Sequence, residues 1–152
     1  MLSLRKIRMK VVIDTNIFVG ALQSYDGINR KILQCCFEGD IDPLMGDALY
    51  YEYESLLHRD YLFERSLFHA FEREDFLNDF LSLCQWVRVH YRWRPNLPDE
   101  GDNHIIELAL AGGANKILTW NKKDFRGGDL TMRSLEILTP EDYLRKYSTG
   151  RV

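Results

Sequence analysis

Val11, Val12 and Ile13 follow one another without a polar break, and such a run of β-branched residues describes a strand covered on both faces, as in the middle of a parallel sheet. The run ends on Asp14-Thr15-Asn16. Open α/β sheets bind ligands beyond the carboxyl ends of their strands, so Asp14 is expected at the edge that carries the chemistry. Thr15 and Asn16 can hydrogen-bond the local backbone and stiffen that turn. The plain alternative is that Asp14 caps the next helix, where Asp is common.

Over residues 27–38, Ile28, Ile32, Leu33, Cys36 and Phe37 fall on one helical face, and Gly39 stops the helix. A short strand is expected at 41–45. Asp47 then stands as the N-cap of a helix with Leu49, Tyr53, Leu56 and Leu57 at helical spacing, which also carries Glu52 and Glu54. From 60 to 84 the apolar positions Phe68, Phe71, Phe76, Phe80 and Leu83 predict two helices packed as a hairpin. That stretch reads as packing and as a subunit contact, and the aromatic-rich region from Tyr50 to Phe80 leads to the expectation of a homodimer, because exposed apolar surface marks contacts.

Residues 85–91 alternate, with Val87, Val89 and Tyr91 on one side as in a strand. Arg88, Arg92 and Arg94 are interleaved with Tyr91 and Trp93, an arrangement that holds phosphates and stacks bases; the alternative is a strand with long side chains in solvent. A loop at 95–98 leads to Asp99-Glu100-Gly101-Asp102-Asn103-His104. Asp102 precedes Ile105, Ile106, Leu108, Ala109 and Leu110 and so falls near a helix start, which Gly112 and Gly113 end. Residues 116–119 form another buried strand, followed by Trp120-Asn121-Lys122-Lys123-Asp124-Phe125. The last strand covers 135–138, and Thr139 caps a closing helix with Pro140 at its first position and Asp142 in its first turn.

This alternation of strands and helices describes βαβ units, hence a mainly parallel sheet with helices on both faces. The acids near strand ends then converge, and Asp14, Glu52 and Asp102 are expected to meet, the alternative being three unrelated surface acids. Clustered carboxylates are tolerable only with shifted pKa values or a bound cation. Oxygen donors alone favour a hard ion such as Mg²⁺ or Mn²⁺. His104, alone on the first turn of its helix, reads as structural rather than as an acid or base.

Composition narrows the picture. A chain of 152 residues, 45% hydrophobic and 28% charged, is an ordinary single globular domain. No run approaches a membrane span, and the basic residues 1–8 lack the apolar core of a signal peptide, so a cytoplasmic location is expected, with Met1 and Met9 both candidate starts. Cys35, Cys36 and Cys84 are odd in number and read as reduced core residues. A net charge of −3 argues against a general polyanion binder, although a bound cation supplies positive charge locally.

Taken in order, Val12-Ile13-Asp14-Thr15-Asn16, then Glu52-Tyr53 with Leu56-Leu57, then 99–103 ahead of the Ala-Leu-Ala-Gly-Gly-Ala run at 109–114, then Ile117-Leu118-Thr119 with Asn121 and Asp124, resemble the PIN-domain family and its toxins of VapC type. The resemblance spans residues 9–147, leaving 1–8 as a short extension. It implies a Rossmann-like α/β/α three-layer sandwich and a Mg²⁺- or Mn²⁺-dependent endoribonuclease, the toxin of a type II toxin–antitoxin pair with a cognate antitoxin protein. It implies Asp14, Glu52 and Asp102 as the catalytic acids and metal ligands. The family's fourth acid falls on Asn121, and Asp124 is the candidate replacement ligand. Asn16 and Thr119 would support the cluster, with Asp99 beside it; Glu54 is the alternative to Glu52, though the order of the match favours Glu52. The functional alternatives are an RNA-processing nuclease outside a toxin–antitoxin pair, or a catalytically weak module that binds RNA or protein.

Overall fold

A computed structural model describes residues 8–24, 27–89, 103–125 and 135–147. In chain order the elements are β1 (Met9–Ile13), α1 (Thr15–Gln23), α2 (Ile28–Phe37), β2 (Ile41–Met45), α3 (Asp47–Leu57), α4 (Ala70–Leu83), β3 (Gln85–Trp86), α5 (Asn103–Gly112), β4 (Lys116–Leu118), β5 (Glu136–Leu138) and α6 (Pro140–Tyr147). The described residues also hold short 3₁₀ turns at Asp60–Phe63 and Lys122–Phe125.

Val11, Val12 and Ile13 are almost wholly buried, as a strand covered on both faces must be. β1 is the centre of a five-stranded parallel sheet of order β3-β2-β1-β4-β5. The order runs outward from β1 to β3 and then returns to β4 and β5, so right-handed crossovers put α1 to α4 on one face and α5 on the other. The reversal between β1 and β4 is the topological switch point, where such sheets open a crevice. Register decides what meets there: Ile13 pairs with Leu118, so Asp14 and Thr119, one step further along each strand, stand side by side. The Asp14 N–H donates to Leu118 O at 2.9 Å, and the Thr119 N–H to Leu138 O at 2.9 Å.

Asp14 is also the N-cap of α1, accepting from the Thr15 N–H, so the cap and the edge position are one arrangement. Gly39 ends α2 with φ +86°, a left-handed conformation that favours glycine. The expected N-cap Asp47 is corrected: Gly46 caps α3, and Asp47 lies inside the first turn. The core is aromatic where α1, α3 and α4 meet: Phe18 lies 5.1 Å from Tyr53, 5.6 Å from Phe76 and 5.2 Å from Phe80 between ring centroids. The buried Tyr53 hydroxyl donates to Ile13 O at 2.7 Å and ties α3 to the end of β1.

Two further expectations are corrected. Residues 60–84 hold one 3₁₀ turn and the single helix α4, not a helical hairpin. The buried Arg73 explains this: its guanidinium bonds Leu57 O at 3.3 Å and Asp60 Oδ1 at 2.7 Å and lies 4.3 Å from the Phe63 ring. Satisfying the carbonyl end of α3 and the turn together leaves no second helix to form between them. Of the strand expected over 85–91, the described residues 85–89 pair at Gln85 and Trp86, with one further bond from the Val87 N–H to Met45 O, the last residue of the partner β2. Arg88 is exposed, and Tyr91, Arg92, Trp93 and Arg94 lie outside the described residues.

Cys35, Cys36 and Cys84 are free thiols, and burial pushes the Cys84 thiol up to about 12, which keeps it inert. Among the described residues no helix is long and apolar enough to cross a membrane.

The closing helix starts as its sequence predicts. Thr139 N–H donates to Asp142 Oδ2 and Asp142 N–H to Thr139 Oγ1, each at 3.1 Å, the reciprocal capping arrangement. Those bonds, with Lys122 at 3.0 Å, hold the Asp142 carboxyl at about 2, below its ordinary 3.8. A depressed folded value gives stability that is present above pH 3.8 and lost as pH falls toward 2. Asp142→Asn is therefore expected to cost about 1 kcal/mol at pH 7 and nearly nothing at pH 2, measured by urea unfolding at both values.

Candidate active site

At the switch point each oxygen of Asp14 is engaged. Oδ1 accepts the Thr15 N–H at 2.8 Å; Oδ2 accepts the Thr119 hydroxyl at 2.8 Å and the Asn16 amide at 3.3 Å. Asp14 is only 5% exposed, and burial pushes its carboxyl up; the bonds from Thr119 and Thr15 pull it back, while the Glu52 charge pushes it up further. Thr119 is fully buried and its hydroxyl also accepts the Asn121 N–H at 3.0 Å. Asn16 reaches Thr119 Oγ1 at 3.4 Å, and its carbonyl oxygen accepts the Trp120 N–H at 3.4 Å. Trp120 is fastened in turn by its indole N–H to Asn29 Oδ1 at 2.7 Å. The loop after β4 is thereby anchored to α1 and α2.

Glu52 comes from the middle of α3. Its Oε1 lies 3.1 Å from Thr15 Oγ1, and the same hydroxyl is 3.4 Å from Asp14 Oδ1, so one threonine stands between the two carboxylates. A hydroxyl has one hydrogen, and the shorter contact assigns it to Glu52. Glu52 Oε2 lies 2.8 Å from His104 Nε2 on the first turn of α5. That bond is the first cause of the lowered Glu52 pKa, outweighing the opposing effect of burial.

Asp14, Asn16, Glu52 and Thr119 are thus brought together by hydrogen bonds. Asp99 and Asp102 lie outside the described residues; Asp102 immediately precedes α5 in the chain. Asn121 is exposed and Asp124 half-buried on the second 3₁₀ turn, where the Asp124 N–H bonds Asn121 O at 3.0 Å. Glu54 is not an equivalent of Glu52. Two residues apart on a helix is a rotation of about 200°, and Glu54 instead groups with His58 and Glu74, all three within 4.8 Å by one ligand atom each. Burial and the Glu74 charge raise the Glu54 carboxyl. Sequence reasoning missed two contacts, the Thr15 bridge and the His104 bond to Glu52; the sole trace of the second is a histidine beside Asp102 on an amphipathic helix start.

The donor set suits a hard divalent cation. Asp14 and Glu52 present only oxygen, and a buried carboxylate facing a second carboxylate gains from positive charge beside it. Nothing in the pair offers the thiolates that softer ions select.

A family model described as the PIN domain matches residues 10–123. Among solved structures, the chain is similar to a chain in the crystal structure of VapBC2 from Rickettsia felis bound to a DNA fragment from their promoter, with a TM-score of 0.59 and 16% identity over 86% of this chain and 98% of that one. No curated protein matches. At that identity the structural likeness speaks for the fold, and the family match covers most of the sequence: the chain belongs to the PIN-domain family.

Proposed function

We propose that the chain is a metal-dependent endoribonuclease, the toxin of a type II toxin–antitoxin pair. The observation that carries the reading is the Asp14–Glu52 pair, joined through Thr15 at the switch point of a PIN-family sheet. Asp14 and Glu52, with Asp102 and Asp124 as the further acids, are the residues that would hold Mg²⁺ or Mn²⁺. When bound, such an ion supplies Lewis acidity toward a scissile phosphodiester and toward water. The chain's own part is to orient: Thr119 and Asn16 fix the plane of Asp14, Thr15 spaces it from Glu52, and the Trp120–Asn29 bond keeps the loop after β4 in place. The PIN-like domain is taken to span 9–147. A cognate antitoxin and a second copy of the chain are the partners this reading carries, with Tyr51, Tyr61, Leu67 and Phe71 as exposed apolar surface; its setting is the cytoplasm.

Purified protein is expected to cut a labelled single-stranded RNA when Mn²⁺ or Mg²⁺ is present. Uncut RNA that nevertheless binds the protein would favour the second reading, a weak PIN-like binding module, which Asn121 motivates by removing a charge from the family pattern.

The loop after β4 gives a sharper expectation. If Asp124 serves as a ligand, Asp124→Asn weakens Mn²⁺ binding and cleavage together by about ten- to a hundredfold, and Asn121→Asp changes little. If it does not, Asp124→Asn is nearly silent and Asn121→Asp tightens Mn²⁺ binding. Calorimetric Mn²⁺ titration of the two variants decides, and two titrations indistinguishable from wild type would remove this loop from the site.

A further inference from the structure

Among the described residues, the polar contact that holds His104 is with Glu52. Its Nε2 lies 2.8 Å from Glu52 Oε2, while its Nδ1 is buried with no hydrogen-bond partner among the described residues. An imidazole retained for packing normally has both ring nitrogens satisfied or wet, since an unpaired buried nitrogen is a cost. Here the cost is accepted on the side away from Glu52. Facing an ionised carboxylate, which can only accept, Nε2 is the donor of this bond.

Glu52 needs such a contact. It is a partly exposed glutamate with three side-chain torsions, and alone it would spread over many rotamers. Thr15, from α1, donates to Oε1, and His104, from α5, takes Oε2. The two donors come from helices that the right-handed crossovers place on opposite faces of the sheet. Between them they fix the carboxylate plane above its carboxyl edge.

We propose that His104 is the positioning residue for Glu52, holding its carboxylate through Nε2 in the orientation that receives the cation. The inference rests on the metal-dependent nuclease reading and adds to it a nitrogen side chain outside the acidic set. Glutamine places an amide hydrogen near the imidazole Nε2 position, whereas leucine keeps apolar bulk and loses the donor. Calorimetric titration with Mn²⁺ is therefore expected to give His104→Leu a ten- to hundredfold weaker affinity than wild type and His104→Gln an affinity within a few-fold of it. A ring ¹⁵N spectrum of histidine-labelled protein without metal is expected to show the His104 hydrogen on Nε2, the resonance being assigned by its loss in His104→Gln. Leu and Gln variants that both match wild type, or that are weakened equally, would overturn the proposal, as would an Nε2 that carries no hydrogen; should the leucine variant fail to fold, the ring spectrum still decides. Wild-type protein that binds no Mn²⁺ would overturn the nuclease reading and this inference together, whereas wild-type binding with an unaffected leucine variant overturns this inference alone.

Discussion

Asp14→Asn is expected to lower RNA cleavage about a thousandfold while the protein stays folded. The substitution keeps the shape of the side chain and removes the charge that a divalent cation would meet, an effect worth several kcal/mol at a metal site, and each 1.36 kcal/mol is tenfold in rate. The same change has a signature in stability. Burial raises the Asp14 carboxyl above its ordinary 3.8, so its contribution to stability is present below that pH and is lost as pH rises through the folded value. The amide that replaces it does not titrate. Stability of the variant relative to wild type, in metal-free buffer, should therefore shift in favour of the variant as pH rises through that window. Wild-type cleavage by Asp14→Asn at matched purity would contradict the assignment.

Phe18→Ala should cost about 3–5 kcal/mol, comparable to the whole stability of many domains, at about 5–15 kcal/mol. Phe18 is 1% exposed and its ring is surrounded by Tyr53, Phe76 and Phe80, so the cavity opens where α1, α3 and α4 meet and cannot easily collapse. The consequence reaches the site, because the α1–α3 contact sets the Thr15–Glu52 distance and Tyr53 anchors α3 to Ile13. Phe71→Ala, at a position 67% exposed, should stay within about 0.5 kcal/mol. Urea unfolding of the pair checks both, and a loss under about 1.5 kcal/mol at Phe18 would mean that the aromatic cluster is not the keystone of this layer.

Local patterns were legible in the sequence. The β-branched run of β1, the glycine after α2 and the Thr139 cap each act within a few residues, and each forms as its residues dictate. Along α3, Glu52 meets Thr15 and Glu54 meets Glu74, as helical rotation over two residues requires. What was not legible depends on partners far along the chain. Phe68 fits a helical stripe by spacing, yet its ring faces the guanidinium of Arg30. Residues 85–89 alternate like a strand, but a strand lasts only as long as its neighbour, and β2 stops at Met45, opposite Trp86. The meeting of His104 with Glu52 joins α5 to α3 across the sheet edge, a contact that no spacing within either helix encodes.

The most direct test of the account is the cation dependence of cleavage by the wild-type chain. Protein stripped with EDTA and dialysed into metal-free buffer is incubated with a labelled single-stranded RNA over a Mn²⁺ titration. The account predicts no cutting without the ion and cutting that rises and saturates as Mn²⁺ is added. Cleavage at full rate in EDTA, or intact RNA at every Mn²⁺ and Mg²⁺ concentration, would contradict it.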